Sequence, residues 1–194
     1  MSTSSSSSSS GSSSRESHLV ELVDAGGGAV GSMTVDEAHR APGLLHRAFS
    51  VLLVDDDGRL LLQQRAAVKT RFALRWANAC CGHPVPGETV TSAATRRLVE
   101  ELGVSAVPLR EVGVYVYQAS DPSSGRVEHE YDHVLVGHVP DISGSFALGA
   151  VDPEEVAAVE WVAVEDLEAR LSHSPDLYAP WLAGVVSAWR GSTA

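Results

Sequence analysis

Residues 80–104 read CCGHPVPGETVTSAATRRLVEELGV, and the spacing within this stretch decides the fold. The residues that set the spacing are Gly82, Glu88, Arg96, Leu98, Glu100, Glu101, Gly103 and Val104. Apolar residues recur at four-residue steps between positions 89 and 102, which predicts a helix, and Gly103 is a natural C-terminal stop. A glycine loop that leads into a helix with paired carboxylates is typical of sites for phosphates and metal ions. The thiol at the mouth of this loop, Cys81, points away from simple hydrolysis.

Strand and turn patterns surround this loop–helix unit on both sides. Apolar runs and alternations predict strands at 18–24, 29–33, 48–54, 59–65, 76–81, 111–119, 126–139 and 159–164. Thr34 is a candidate cap for a short helical turn, and amphipathic helices are predicted at 165–171 and 178–190. The chain is therefore expected to have an α+β fold, with a mixed β-sheet core, flanking helices and the loop–helix unit packed against the sheet.

The composition bounds the class of protein. The chain has 194 residues, 44% of them hydrophobic, and a formal net charge of −11. A chain of this size and apolar content can bury a core, so one globular domain is expected at residues 18–194. The acidity argues against nonspecific binding to nucleic acid or to a membrane surface. An anionic small-molecule substrate would need locally gathered metal ions or basic side chains, and no obligate protein partner is implied.

The N-terminal segment and the cysteines indicate the compartment. Residues 1–17 are mostly serine, so they cannot bury enough surface to offset their ordering entropy, and a disordered tail is expected there. This tail lacks the apolar stretch of a secretory signal, and no segment approaches the length needed to span a bilayer. The two cysteines, Cys80 and Cys81, are adjacent, which favours reduced thiols and a cytoplasmic location.

Two groups of side chains are candidate metal ligands. Glu128 and Glu130 are two apart on a predicted strand and project from one face, where they repel each other unless a cation lies between them. Together with three histidines they would form a mixed nitrogen and oxygen site suited to Zn²⁺ or Mn²⁺; the histidines are His39, His46 and His83. Taken singly, each residue is more often a non-ligand histidine or a solvated strand glutamate.

A second candidate metal site lies on the helix at 89–102. Its carboxylates, with Glu88 before them, suit Mg²⁺, which prefers oxygen ligands and often bridges to phosphates. The alternative is a solvated helix with local Glu–Arg pairs. Basic side chains in the flanking segments are candidates to hold a diphosphate, namely Arg65, Lys69 and Arg97. The remaining loop cations, Arg71 and Arg75, are expected to be surface charges.

The thiol of Cys81 is the third chemical feature. Beside His83 and near a metal ion it is expected to be more acidic than a free thiol, which suits proton transfer as well as nucleophilic attack. Strand alternation places Cys80 and Cys81 on opposite faces, so only one of them lines a site. We expect Cys80 to be the small buried one.

Three runs of the chain resemble type 1 isopentenyl-diphosphate δ-isomerases: LHRAFS at 45–50, LLLQQR at 60–65 and NACCGHP at 78–84. VEHE at 127–130 is similar to that family's paired-glutamate strand, and EW at 160–161 to its late tryptophan. The resemblance implies a Nudix-type fold. Residues 82–104 satisfy the Nudix hydrolase pattern except at Arg97, where hydrolases carry glutamate. A cation at that position favours diphosphate binding without hydrolysis.

The resemblance also implies roles for individual residues. It implies one Mn²⁺ or Zn²⁺ ion held by His39, His46, His83, Glu128 and Glu130. It implies a Mg²⁺ ion bound by Glu101, the main-chain carbonyl of Cys81 and the substrate diphosphate. The remaining implied roles are diphosphate contacts from Arg65, Lys69 and Arg97, a catalytic thiol at Cys81, an opposing acid–base pair of Glu130 and Tyr117, and an aromatic side chain at Trp161 that faces the hydrocarbon.

The implied reaction converts isopentenyl diphosphate to dimethylallyl diphosphate, by protonation at C4 and loss of a proton from C2. A Nudix hydrolase acting on another diphosphate is the alternative, and a catalytically silent metal- or diphosphate-binding regulator is a third possibility. Arg97 weighs against the hydrolase, and the presence of Cys81 and Glu130 weighs against the silent regulator. In one departure from the family, Val35 stands where several members carry lysine, so one diphosphate contact is either lost or supplied elsewhere, for which Arg40 is a candidate.

Overall fold

The computed structural model describes residues 15–139 and 149–192, and it confirms the expected α+β fold with a mixed sheet. The described strands are β1 (Leu19–Val23), β2 (Ala29–Thr34), β3 (His46–Val54), β4 (Arg59–Arg65), β5 (Trp76–Asn78), β6 (Cys80–Gly82), β7 (Leu109–Ser120), β8 (Val127–His138) and β9 (Val156–Ala163). The described helices are α1 (Val35–Ala38), α2 (Val90–Leu102), α3 (Val164–His173) and α4 (Leu182–Gly191).

Strand β3 organises the sheet because it pairs with strands on both of its sides. It runs parallel to β8, with His46 opposite Glu130, and antiparallel to β6, with Ser50 opposite Cys81. Strand β7 extends the sheet beyond β8, and Tyr117 lies opposite Glu130 in that ladder. Cys81 and Glu130 therefore flank one strand.

Alternation along the strands separates two apolar cores. The core under helix α2 includes Phe49, Val51, Leu53, Leu61, Cys80 and Leu98. The core under helix α4 includes Leu52, Leu60, Leu62, Val134, Trp181 and Leu182. Because successive side chains of a strand point to opposite faces, odd and even positions of β3 belong to different cores. The same alternation directs Cys80 towards helix α2 and Cys81 towards the other face, as predicted.

The helix signals in the sequence are confirmed. The Thr34 hydroxyl accepts a hydrogen bond from the amide of Glu37, at 3.3 Å, and so caps helix α1. Helix α2 ends at Gly103, which adopts a φ of 63°. A Cβ atom at Gly103 would lie 2.5 Å from Gly149 Cα, so the left-handed turn and the close approach of a second loop both require glycine here.

Two elements differ from the prediction. The expected strand at 76–81 is divided at Ala79, because β5 pairs with β4 whereas β6 pairs with β3. The expected helix at 178–190 begins only at Leu182, since Pro180 disfavours a helical conformation for the residue before it.

Residues 1–14 of the predicted tail lie outside the described part of the chain. The last part of that tail is described, and it contacts the fold. Arg15 forms an ion pair with Glu155, and Glu16 forms one with Arg71. Across the described ranges, every helix is too short or too polar to cross a membrane.

Candidate active site

A cavity of about 670 Å³ opens at one end of the sheet. Strands β4, β6, β7 and β8 and the loop after β4 contribute to its wall, and helix α2 contributes side chains from one side. The sequence-predicted site residues on this wall are Arg65, Lys69, Cys81, His83, Arg97, Tyr117, Glu128 and Glu130. Thus most of the candidate residues, which are far apart in the sequence, line one cavity.

The five candidate ligands of the first metal ion converge. One ligand atom from each of His39, His46, His83, Glu128 and Glu130 lies within 4.8 Å of the others. The Nε2 atom of His39 is 2.8 Å from Glu128 Oε2, and the Nε2 atom of His83 is 3.0 Å from Glu130 Oε1. Four of the five residues are buried and His83 is half-buried. The group can hold a divalent metal ion.

Main-chain carbonyls orient two of the three imidazoles. His39 Nδ1 lies 2.7 Å from the Val35 carbonyl, and His46 Nδ1 lies 2.7 Å from the Leu44 carbonyl. Because a carbonyl oxygen only accepts, each Nδ1 carries the proton, and each Nε2 presents a lone pair to the cluster. This is the support that metal-binding histidines usually receive, so the donor set fits a bound ion.

The protein groups of the cluster favour ionised carboxylates and a neutral imidazole at His83, although at His46 burial is outweighed by Glu130, which raises the pKa of that imidazole. Burial lowers the pKa of His83 to about 4. Burial opposes ionisation of Glu130, but the neighbouring imidazoles of His46 and His83 lower its pKa to about 2. Burial likewise opposes ionisation of Glu128, yet His39 and Arg71 hold its pKa well below the usual range. These are the protonation states that a metal ion requires of its ligands.

Tyr117 and Glu130 form the expected pair. The Tyr117 hydroxyl donates a hydrogen bond of 2.7 Å to Glu130 Oε2, while Oε1 of the same carboxylate faces His83. Burial and the neighbouring carboxylates, Glu130 first, raise the pKa of Tyr117 well above its ordinary value. The proton of this pair therefore resides on the phenol oxygen.

Cys81 lies on the opposite flank of β3, and its surroundings differ from the expectation. Its thiol donates to Asn78 Oδ1 at 3.1 Å and lies 3.8 Å from the Ser50 hydroxyl. Burial, reinforced by the carboxylate of Asp132, raises the pKa of Cys81 to about 12, although Arg65 acts in the other direction. The protein groups by themselves thus make this thiol less acidic than a free one, because burial of the thiol, together with the nearby carboxyl groups, outweighs the effect of the cation.

The three predicted diphosphate contacts lie on the same wall and are held by carboxylates or main-chain oxygens. Lys69 Nζ is 2.5 Å from Glu155 Oε2, and Arg97 forms ion pairs with Glu101 and with Glu155, the latter at 3.4 Å. The Arg65 guanidinium donates to the main-chain carbonyl of Arg71 from Nε and Nη2. Glu155 therefore holds two of the candidate cations in place.

Glu101, the predicted Mg²⁺ ligand, is buried apart from the five-residue cluster. One of its oxygens contacts Arg97, and the other accepts a hydrogen bond of 3.2 Å from Gln63 Nε2. Among the described residues, it is not on the cavity wall. The second ion thus remains a prediction.

The predicted role of Trp161 disagrees with the structure. Trp161 lies opposite Leu61 in the β4–β9 ladder and packs against the core under helix α2. The tryptophan on the cavity wall is Trp181, which is 3% exposed and donates from Nε1 to Asn78 Oδ1 at 3.0 Å. Residues opposite each other in a ladder point to the same face of the sheet. Because Leu61 belongs to the core under helix α2, Trp161 faces that helix and not the cavity.

Two expectations about cations also fail. Arg40 is largely exposed, forms an ion pair with Asp36, and is not among the described residues that line the cavity. Arg71, expected to be a surface charge, is 9% exposed, lines the cavity and donates to Glu128 Oε1 at 3.0 Å.

Several site residues were missed by the sequence reasoning: Asn78, Asp132, Glu155, Trp181 and Arg71. A signal existed for Asp132, which continues the same-face series of Glu128 and Glu130 on β8. Glu155 and Trp181 carried no local signal, since each reaches the site only through the packing of a loop or a helix.

Comparisons with known proteins agree with this geometry. A NUDIX domain model matches residues 44–183. An isopentenyl-diphosphate Delta-isomerase of Nocardia farcinica is 59% identical over 167 residues, which are 86% of this chain and 91% of the relative. A Streptomyces coelicolor protein of the same name is 47% identical over 175 residues, which are 90% of this chain and 85% of that one. The chain belongs to the isopentenyl-diphosphate Delta-isomerase family.

Solved structures confirm the Nudix fold of this family member. A Deinococcus radiodurans crystal structure matches with a TM-score of 0.69 at 21% identity, covering 89% of this chain and 100% of that one. A NUDIX hydrolase from Nitrosomonas europaea matches with a TM-score of 0.51 at 19% identity, covering 74% and 87%. At these identities the likeness concerns the fold alone.

Proposed function

We propose that this cavity converts isopentenyl diphosphate to dimethylallyl diphosphate. The observation that carries the proposal is the placement of two proton-transfer groups on opposite flanks of β3, with Glu130 and Tyr117 on one side and Cys81 on the other. A shift of a double bond by one position needs a proton added to one carbon and another proton removed from its neighbour. Two separate groups facing one cavity suit both steps.

The Glu130–Tyr117 pair is assigned the donation of a proton to C4. The phenol holds the proton and donates it in a hydrogen bond to the ionised carboxylate, so the proton that reaches the substrate through Glu130 is supplied by Tyr117 Oη. The product of this step is a tertiary cation at C3. Cys81 is assigned the removal of the C2 proton, for which it must be a thiolate when the substrate is bound.

The five-residue cluster is assigned one Mn²⁺ or Zn²⁺ ion, with His39, His46, His83, Glu128 and Glu130 as ligands. Such an ion would fix the position of Glu130, tune its acidity, and favour the ionised thiol nearby. We assign a Mg²⁺ ion to Glu101, the Cys81 carbonyl and the diphosphate. For Glu101 this requires the carboxylate to exchange its contact with Arg97.

The cationic intermediate needs a wall that excludes water and tolerates positive charge. Trp181 lies 5.9 Å from Tyr117 between ring centroids and is fixed by its hydrogen bond to Asn78. Its π face can stabilise a desolvated cation by roughly 0.5–2 kcal/mol. We therefore assign to Trp181 the aromatic role first expected of Trp161. Arg65, Lys69 and Arg97 are assigned to hold the diphosphate without cleaving it.

One assay separates the proposal from its alternative. The protein is incubated with isopentenyl diphosphate, Mg²⁺ and Mn²⁺ in deuterated water, and dimethylallyl diphosphate, deuterium at C4 and released phosphate are measured. The isomerase predicts a deuterated product and no phosphate. Phosphate release without isomerisation would identify a hydrolase, and no conversion of any kind would reject the proposed activity.

A further inference from the structure

The N-terminal turn brings a carboxylate to the cationic wall of the cavity. Glu16 and Arg71 both line this cavity, and Arg71 Nη1 lies 3.1 Å and 3.2 Å from the two Glu16 carboxylate oxygens. The Thr70 hydroxyl donates to Glu16 Oε1 at 2.9 Å. A guanidinium and a hydroxyl thus grip one carboxylate, which is also how proteins bind a phosphate oxygen.

Arg71 is continuous with the predicted diphosphate contacts. Its main-chain carbonyl accepts the hydrogen bonds of the Arg65 guanidinium, so the two arginines are held by the same turn of chain. Its Nε atom donates to Glu128 Oε1, which fixes the side chain within the cavity. In the part of the chain that the structure describes, Nη2 of Arg71 has no hydrogen-bond partner, so it remains available to a ligand.

Glu16 is more exposed than the buried carboxylates that hold cavity cations. The side chains of Glu101, Glu128 and Glu155 are 4%, 6% and 5% exposed, whereas that of Glu16 is 20% exposed. Glu101 lies on helix α2, Glu128 lies on strand β8 and Glu155 directly precedes strand β9, whereas Glu16 precedes the first strand of the sheet. Of the two carboxylate partners of Arg71, Glu16 is therefore the one that an entering anion can displace with the less rearrangement, because Glu128 is buried on strand β8.

We propose that Arg71 and Thr70 form an additional contact for the substrate diphosphate, and that Glu16 is an intramolecular competitor for it. The inference rests on the proposed function and adds residues and a competing anion to the same site. When the diphosphate enters, a phosphate oxygen takes the place of the Glu16 carboxylate on Arg71. Release of the product lets Glu16 return, so the guanidinium keeps a counter-charge in both states.

Opposite effects of two substitutions test the exchange. Arg71→Ala is expected to weaken binding of magnesium diphosphate, and to raise KM for isopentenyl diphosphate, by about tenfold or more, since a charge-assisted hydrogen bond is lost. Glu16→Gln removes the competing charge with little change of shape. It is therefore expected to strengthen the binding of magnesium diphosphate and to lower KM, each by about threefold. In the Arg71→Ala background, Glu16→Gln is expected to have no further effect.

Matched controls are Arg75→Ala, a cation of the same loop that is absent from the described cavity wall, and Glu168→Gln, an exposed carboxylate elsewhere. Both are expected to leave the diphosphate affinity unchanged. Metal content is measured for each variant, because Arg71 also contacts Glu128.

Calorimetry with magnesium diphosphate reports on the exchange even if the protein does not isomerise, so failure of the proposed function and failure of this inference remain distinguishable. Weaker binding in both Glu16→Gln and Arg71→Ala would overturn the inference and make Glu16 a structural clamp. An Arg71→Ala variant that loses metal but keeps its diphosphate affinity would overturn it as well.

Discussion

The two faces of the sheet differ in what they bury. Under helix α2 the neighbours of the sheet are apolar, and Cys80 is one small residue among them. The other face has its own apolar core under helix α4, but at one end of the sheet it also carries buried His39, His46, Glu128, Glu130 and Asp132. The first face stabilises the fold by removing apolar surface from water. This effect is non-directional, so any apolar side chain of suitable size and shape can contribute to it. The second keeps charged groups out of water, which is tolerated only because each has a partner or awaits a ligand.

The adjacent cysteines give the sharpest contrast between the faces. Cys81→Ala is expected to reduce isomerisation by about 10³-fold, because a proton-transfer group is removed. Cys80→Ala is expected to keep most of the activity and to lower the free energy of unfolding by about 1 kcal/mol, from lost packing. Rates with isopentenyl diphosphate and urea denaturation of both variants check this. Equal loss of activity in the two would mean that both thiols shape the cavity.

Metal removal tests whether the buried charged residues of the cavity face depend on one shared ion. Stripping the ion is expected to lower stability and stop turnover together, because the two glutamates lose the cation between them. Glu128→Gln is expected to weaken metal retention by at least about tenfold. Glu130→Gln is expected to reduce turnover further, since it removes an acid–base group as well as a ligand.

Elemental analysis of purified protein is compared with its activity and melting temperature. The five-ligand assignment is wrong if metal-free protein keeps full activity in Mg²⁺ alone. It is also wrong if metal retention is unchanged in the alanine variants of His39, His46 and His83.

Trp181 at the cavity and Trp161 under helix α2 give the same contrast between the faces, with a smaller expected effect on activity. Trp181→Leu is expected to lower kcat by up to about 30-fold, which corresponds to the loss of a cation–π contribution. Trp161→Leu is expected to leave kcat within about twofold and to act only through stability. Steady-state kinetics and thermal denaturation distinguish these outcomes, and a larger loss of kcat in Trp161→Leu would restore the original assignment.

Acidification is expected to destabilise the charged face in metal-free protein. The unfolded chain binds a proton on His83 below about pH 6.5, whereas the folded pKa is about 4, so stability is lost as pH falls between these values. The loss is on the order of 3 kcal/mol at most. The pKa of His46 moves the other way: burial lowers it, but Glu130 raises it by more, and this offsets part of the loss of stability. Below about pH 4.5, protonation of Glu128 and Glu130 lowers stability further.

Urea denaturation at pH 7 and pH 5 is compared between the unsubstituted protein and His83→Gln, with His138→Gln as an exposed control. A smaller pH dependence in His83→Gln alone is the expected result. An unchanged dependence would show that His83 is not held neutral by burial.

The smallest effect is expected at the N-terminus. Deletion of residues 1–14 is expected to leave activity and melting temperature nearly unchanged, because a serine segment contributes no apolar burial. Deletion of residues 1–17 also removes the ion pairs of Arg15 and Glu16, so it is expected to shift stability by no more than about 1 kcal/mol and to lower KM. A large loss of stability in the shorter deletion would mean that the serine segment docks on the fold.

The sequence by itself determined the elements whose signals are local. The strand alternation that separates Cys80 from Cys81, the caps at Thr34 and Gly103, and the loop–helix spacing of 80–104 all depend on neighbours within a few residues. The residues themselves suggested the five metal-ligand candidates, the resemblance assigned them to one ion, and the structure brings them together.

Tertiary structure alone decided which side chains complete the cavity. Arg71, Glu155 and Trp181 lie in a loop, at a strand start and before a helix, and their positions follow from packing between elements far apart in the chain. A loop arginine is ordinarily solvated, but ion pairs with the buried carboxylate of Glu128 and the N-terminal carboxylate of Glu16 hold this one inward. Trp161 was assigned to the site from the resemblance, but the pairing of β9 with β4 puts it on the face under helix α2, and local sequence does not encode that register.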